Sequence, residues 1–333
     1  MKTRYTILTA ASFVALAVFS CGSKTTQTGT AAAEEQPARV VNVPYFDGDS
    51  AYDYVKAQVD FGPRTMNSTA HDACGDWLVG KLEQFGAKVY DQRADLTTYE
   101  GKIVKARNIV GSYKPEAKKR IALFSHWDSR PWADNDPDSS KHYTPILGAN
   151  DGASGVGVLL EIARHLQTAQ PELGIDIILL DAEDLGNHKD YDGEHTDESW
   201  CLGSQYWARV PHVDGYNARF GILLDMVGGI GARFQYEYYS EQYAKDINRK
   251  VWGAAKSLGY DNYFIPQTGV GATDDHKFIN EIAHIPTIDI IPTSSQYTFF
   301  EHWHTVKDDM DAINVGTLKV VGQTVMQVIY NEH

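Results

Sequence analysis

Short apolar runs alternate with amphipathic segments along most of this 333-residue chain, and that alternation restricts the possible folds more than any other feature. Runs of this kind predict buried strands, at residues 120–126, 175–180, 220–224 and 287–291. Apolar residues at helical spacing predict helices, at residues 50–60, 70–84, 153–167, 241–258 and 315–330. Because strands that alternate with helices form a mainly parallel sheet covered on both faces, we predict an α/β protein with one three-layer α/β/α sandwich.

A hairpin and the composition add to this prediction. Two alternating runs at residues 88–98 and 102–112 flank Glu100-Gly101 and predict an antiparallel pair, so the sheet is mixed. Hydrophobic residues make up 43% of the chain, which is enough for a sizeable core. The net charge of −14 argues against a nucleic-acid partner, because such a partner needs a basic face and no run of Lys or Arg supplies one.

The N-terminus predicts an export signal. Residues 1–20 carry two positive charges followed by a short apolar stretch, and Cys21 follows Ser20 and precedes Gly22, as in a bacterial lipobox. We expect residues 1–20 to be a signal peptide, Cys21 the lipidated residue and residues 21–44 a flexible tether. The catalytic domain is then 45–333, held at the periplasmic or cell-envelope membrane by its lipid alone. Secretion with cleavage elsewhere is the alternative.

The two remaining cysteines leave a question open. Cys74 and Cys201 are far apart in the chain and lack the spacing of a thiol metal site. An exported protein permits a disulfide between them. Two buried thiols that behave as small apolar side chains explain them equally well.

Polar residues follow the predicted strands and precede one predicted helix. They are His126, Asp151, Glu183, Asp184, Asp225 and His304. Since ligands bind outside the carboxyl ends of parallel strands, we expect these residues to meet at one edge of the sheet. Carboxylates with imidazoles suit zinc. Each Asp alone would also suit a helix cap, and Asp151 in particular would suit an N-cap, but the joint pattern favours a metal site.

These segments resemble the superfamily of zinc aminopeptidases and glutaminyl cyclases over residues 45–333, which implies an α/β/α fold. In its di-zinc aminopeptidases two metals share a bridging Asp, and the matching ligands here are His126, Asp225, Asp184, His304 and the bridging Asp151. Glu183 matches the general base.

Four segments are more specifically similar to the animal-type glutaminyl-peptide cyclotransferases: HWDSR at 126–130, TDDH at 273–276, IDIIP at 288–292 and FFEHWHT at 299–305. This resemblance implies one Zn²⁺ per chain, held by Asp151, Asp184 and His304, with His126 at a vestigial second position. The animal enzymes carry Glu where this chain has Asp184 and His where it has Asp289.

The resemblance also implies a reaction, in which the N-terminal glutamine of a peptide or protein closes to pyroglutamate and releases ammonia. Glu183 is then the base that becomes the acid, and we expect like-charge repulsion from neighbouring carboxylates, Asp184, Asp225 and Asp274, to raise its pKa. Trp303 and Phe299 wall the substrate pocket, and Asp289 either orients the substrate amine or simply satisfies backbone donors. Trp200 and the 186–200 loop have no assigned role.

Two other functions compete with this one. A di-zinc aminopeptidase would hold two metals and free the N-terminal residue. A non-catalytic lipoprotein would have lost a ligand or the base, and neither loss is seen in the sequence. We expect a monomer whose partners are peptides with N-terminal Gln.

Overall fold

A computed structural model describes residues 41–292 and 299–333. It contains a six-stranded mixed sheet of order β1-β2-β4-β3-β5-β8 and a separate parallel pair, β6 with β7. The strands are β1 Lys88–Thr97, β2 Ile103–Tyr113, β3 Arg120–His126, β4 Gly174–Leu180, β5 Gly221–Leu224, β6 Phe234–Tyr236, β7 Phe264–Thr268 and β8 Thr287–Ile290.

Eight α-helices accompany these strands in the described residues. They are α1 Gly48–Val59, α2 Thr69–Gln84, α3 Ala153–Leu166, α4 Leu202–Arg209, α5 Tyr238–Tyr243, α6 Lys245–Ser257, α7 Asp275–Phe278 and α8 Val315–Asn331. A π-helical turn, Ile279–Ala283, continues α7. In the part of the chain that the structure describes, no helix has the length and apolar character needed to cross a bilayer.

The sheet direction is what positions the functional residues. Strands β4, β3, β5 and β8 run parallel, and β2 and β1 continue the sheet in antiparallel fashion. The register places His126 opposite Leu180 and Leu224 opposite Ile290, so the four parallel strands end together. The predicted mixed, mainly parallel α/β sandwich is confirmed.

Apolar side chains fill both faces of the sheet. One face packs against helices that include α1, α3 and α8, through a large buried cluster that contains Val55, Val156 and Leu318. The other face packs against α4, where the Trp207 ring lies edge-on to Phe124 at 5.4 Å between centroids. Two buried layers explain why the central strands are apolar along their whole length.

The structure differs from the predictions made from the sequence in several places. The helix predicted at residues 241–258 is two helices, because Ala244 has φ −143° and ψ 39° and separates α5 from α6. Asp151 is not an N-cap, since Gly152 occupies that position and makes no side-chain cap. The α4 helix and the β6–β7 pair were not predicted, because their short segments show no sustained period.

Both predicted features of the N-terminus, the signal peptide of residues 1–20 and lipidated Cys21, lie outside the described residues. So does most of the predicted tether, although Val41 and Val43 pack against the core. Cys74 and Cys201 are separate free thiols in the structure, and both are buried.

The close approach of α3 to the strand ends generates a prediction about two glycines. A Cβ at Gly155 would lie 2.3 Å from both the Leu224 carbonyl oxygen and Ser125 Oγ, whereas a Cβ at Gly253 in α6 would meet nothing within 4 Å. We expect Gly155→Ala to lower the free energy of unfolding by about 1–3 kcal/mol through overpacking. The matched control Gly253→Ala should raise it by about 0.5–1 kcal/mol, since alanine is the better helix residue. Urea denaturation of both variants checks this, and equal effects would contradict it.

Candidate metal centre and active site

A cavity of about 240 Å³ opens at the carboxyl edge of the parallel strands. Most of the residues that the sequence analysis selected line it, namely Asp151, Glu183, Asp184, Asp225, Asp274, Phe299, Trp303 and His304. Trp200, whose role was open, lines it as well. Five separate segments deliver these side chains: the turn before α3, the loops after β4 and β5, the residue before α7 and the loop between β8 and α8.

Asp151, Asp184 and His304 form a compact set of metal donors. His304 Nε2 lies 3.2 Å from Asp184 Oδ1 and 3.6 Å from Asp151 Oδ2. One potential ligand atom from each residue lies within 4.8 Å of the others. Asp151 Oδ2 and Asp184 Oδ2 are buried without a hydrogen-bond partner. Two unsatisfied carboxylate oxygens beside an imidazole nitrogen fit a zinc ion, which accepts three protein ligands in catalytic sites.

An ion pair behind His304 orients its ring. Asp134 Oδ1 lies 3.5 Å from His304 Nδ1, and Arg130 binds both oxygens of Asp134 at 2.8 and 2.6 Å. Although burial opposes it, the guanidinium holds the pKa of Asp134 below its ordinary value. Burial likewise opposes ionisation of Asp184, but His304 and Arg130 outweigh it and lower the pKa of Asp184 to about 2. Such support is typical of histidines that bind metals.

Two other buried carboxylates fix the loops that carry these ligands. Asp128 accepts hydrogen bonds at 3.2 Å from the backbone N–H groups of both Glu183 and Asp184. Asp308 accepts in the same way from Asn150 and Asp151, at 2.8 and 3.1 Å. Sequence reasoning gave no role to Asp128 or Asp308, nor to Arg130 and Asp134. The partners of these four residues lie far away in the sequence or on an irregular loop, so no short sequence pattern identifies the contacts.

A second donor cluster adjoins the first through the shared Asp151. His126 Nε2 lies 3.1 Å from Asp151 Oδ1 and 3.2 Å from Asp225 Oδ1. Its Nδ1 lies 3.4 Å from Asp128 Oδ1, so both ring nitrogens have partners. Burial opposes protonation, but these three carboxylates raise the pKa of His126 well above its usual value.

Glu183 is a buried carboxyl group at the cavity, and its side chain is not part of the His304 donor set. Its Oε1 accepts a hydrogen bond from Cys201 Sγ at 3.2 Å. Burial is the largest cause that raises the pKa of Glu183 well above the usual value, and the charges of Asp184 and Asp274 add to it. The sequence analysis named charge repulsion alone, because burial depends on packing.

Asp274 and Asp289 occupy different depths. Asp274 lines the cavity with Oδ2 unpartnered, and burial together with Asp225 raises its pKa to about 6. Asp289 is fully buried and is not among the lining residues. Its Oδ2 lies 3.8 Å from His276 Nδ1. The contact between Asp289 and the substrate amine therefore stays a prediction.

Aromatic rings form the walls of the cavity. Phe299 and Trp303 meet edge to face at 5.0 Å, and Trp303 lies 4.0 Å from the His304 ring. Trp200 is nearly parallel to His304 on another side, at 6.0 Å and 12°. These rings line the same cavity as Glu183 and the donor set.

Solved structures resemble this chain closely. Glutaminyl cyclase of Bacteroides thetaiotaomicron, bound to N-acetylhistamine, matches with a TM-score of 0.87 and 66% identity over 88% of this chain and 100% of that chain. A leucine aminopeptidase precursor from Bacteroides thetaiotaomicron VPI-5482 matches with a TM-score of 0.86, also at 66% identity and with the same coverage. The two structures thus carry different activity names at the same similarity.

Curated relatives are more distant. The glutaminyl-peptide cyclotransferase of Drosophila melanogaster is 24% identical over 77% of this chain and 73% of that protein. Aminopeptidase YwaD of Bacillus subtilis is 27% identical over 68% of this chain, and the match spans only 44% of that protein. The profile of Peptidase family M28 matches residues 108–329, which include all three residues of the Asp151, Asp184 and His304 set. The chain therefore belongs to Peptidase family M28.

Proposed function

We propose that this protein is a zinc-dependent glutaminyl-peptide cyclotransferase, which closes the N-terminal glutamine of peptides to pyroglutamate and releases ammonia. The observation that carries the proposal is the buried Glu183 beside a three-residue donor set, in a small cavity walled by Trp200, Phe299 and Trp303. The match to a glutaminyl cyclase along that protein's full length supports it. The animal-type relative supports the same reaction.

The residues of the cavity divide the work of this reaction. When bound by Asp151, Asp184 and His304, zinc supplies a Lewis acid for the side-chain carbonyl of the substrate. Glu183 takes a proton from the attacking α-amine and delivers it to the departing ammonia, so one group serves as base and then as acid. A raised pKa suits both tasks, because the carboxyl must exchange protons near neutral pH.

Neighbouring groups prepare the substrate for ring closure. Asp225 and Asp274 extend the carboxyl network around Glu183 at the wall of the cavity. The rings of Phe299 and Trp303 hold the aliphatic part of the glutamine and exclude water. Exclusion of water matters because hydrolysis of the same amide competes with cyclisation.

We propose one zinc ion per chain. The Asp151, Asp184 and His304 set keeps two buried carboxylate oxygens without a hydrogen-bond partner, whereas no such atom belongs to Asp225 or His126 among the described residues. His126 thus occupies the second position with its own hydrogen bonds. A di-zinc aminopeptidase remains the competing function, because a structure named as an aminopeptidase precursor is equally similar.

Substitution of the proposed base tests the reaction. Glu183→Gln should lower the turnover of a Gln-initiated peptide by about 10²–10⁴, because the amide cannot accept the proton. Ammonia release and product mass spectrometry measure it. The matched control Glu116→Gln changes an exposed residue between β2 and β3 and should leave turnover unchanged. Unaltered turnover in Glu183→Gln would contradict the assignment, and release of free N-terminal residues by the wild type would favour the aminopeptidase.

Metal analysis tests the stoichiometry. We expect one tightly bound zinc per wild-type chain and none in His304→Ala, which should also lose activity. His126→Ala should keep its zinc and instead lose stability, because it leaves Asp225 and Asp128 without their buried partner. Elemental analysis of the purified proteins measures the zinc content. Two zinc ions per wild-type chain, or loss of zinc from His126→Ala, would count against a single-metal site.

We also propose that the protein is exported and anchored by a lipid on Cys21. Residues 1–20 have the charge and apolar length of a signal peptide, and Cys21 stands between Ser20 and Gly22. Cys21→Ser should move the protein from the membrane fraction to the soluble fraction with unchanged turnover per molecule. Fractionation followed by immunoblotting measures this, and a variant that stays with membranes would contradict the anchor. The natural substrates would then be exported proteins that begin with Gln.

A further inference from the structure

The start of α4 makes three contacts with the segment that carries Glu183. The backbone N–H of Cys201 donates to the Glu183 carbonyl oxygen at 2.9 Å, and that of Leu202 donates to the Ala182 carbonyl oxygen at 3.0 Å. The Cys201 thiol donates to Glu183 Oε1 at 3.2 Å. One residue therefore holds both the main chain and the side chain of the proposed base.

The conformation at this junction is specific. Cys201 has φ 56° and ψ 37°, in the left-handed region that favours glycine, and Ala182 has φ 54°. Gly203 follows within α4, where a Cβ would lie only 1.9 Å from the Asp181 carbonyl oxygen. A left-handed non-glycine residue costs free energy, so the surrounding contacts must hold it in place. Position 201 therefore carries a side chain in a backbone conformation that glycine would adopt at a lower cost in free energy.

The thiol suits the role of a donor. Cys201 is fully buried, and burial with the neighbouring carboxylates raises its pKa well above the usual value, so the group keeps its proton. On the cavity side, one atom each of Glu183, Cys201 and Asp274 lie within 4.8 Å of one another, and Asp274 Oδ2 is buried without a partner. No group in the described residues donates a hydrogen bond to this Asp274 oxygen, and the attacking amine of a substrate is a hydrogen-bond donor.

We propose that Cys201 is a positioning residue for the reaction, whose S–H group holds Glu183 Oε1 and so fixes the orientation of the carboxylate that meets the substrate amine. This inference rests on the proposed cyclase function. The thiol contacts the base alone and binds neither substrate nor metal. Its removal should therefore act on the chemical step and leave zinc binding and substrate affinity in place.

Three substitutions at this position separate the donor from the packing. Cys201→Ala removes the donor and should lower kcat by about tenfold, the effect of one hydrogen bond to the base, with KM and zinc content unchanged. Cys201→Ser keeps a donor and should restore most of kcat. Cys201→Gly also lacks the donor but adopts φ 56° without strain, so it supplies a folded donor-free variant if alanine does not fold.

The other buried cysteine is the matched control. Cys74→Ala removes a buried thiol from α2 and should change stability without changing kcat. Steady-state cyclisation of a Gln-initiated peptide, normalised to bound zinc, measures all variants. Wild-type kcat in the donor-free variants, or equal losses in the Ser and Ala variants, would overturn the role of the thiol while the cyclase function stands. A wild-type protein that cyclises nothing would overturn both.

Discussion

The structure depends on how a cluster of buried carboxylates is stabilised away from bulk water. Asp151, Asp184, Glu183, Asp225 and Asp274 share one small cavity, and each is at most slightly exposed. Isolated charges there would be costly, so each carboxylate needs a cation, a donor or a proton. The imidazole of His126 lies between Asp151 and Asp225, the Cys201 thiol donates to Glu183, and the set of Asp151, Asp184 and His304 fits a cation.

The scaffold reaches this arrangement by fixing the loops that leave the parallel strands. Buried Arg64 donates to the carbonyl oxygens of Trp127, Leu147 and Gly148, at 2.8, 2.6 and 2.9 Å. Asp128 and Asp308 do the converse, since their carboxylates bind backbone N–H groups. Charged side chains that form hydrogen bonds with backbone groups stabilise irregular segments, as hydrogen bonds between strands stabilise a sheet. The metal ligands can therefore lie on loops without being mobile.

The sequence was sufficient for those features that leave a periodic or positional signal. The strands were predictable because each appears in the sequence as a short apolar run. The polar residues that follow these runs showed where the carboxyl edge of the sheet lies. The split between α5 and α6 at Ala244 left no such signal, because a single non-helical residue does not alter the apolar period. The roles of Arg64, Asp134, Cys201 and Asp308 were not predictable either, since they arise from contacts across long stretches of chain. The full burial of Asp289 was not predictable either, because the register of one strand decides the face on which a side chain lies.

The distribution of the donors along the chain has a consequence for how the protein matures. Asp151, Asp184 and His304 belong to loops that come together only when β4 and the segment after β8 are in their final places. An unfolded or half-assembled chain therefore presents no preformed site, and metal capture follows folding as its closing event. An ion that binds only the finished state also shifts the folding equilibrium by mass action. The concentration of available metal would then govern the stability of the folded protein as well as its turnover.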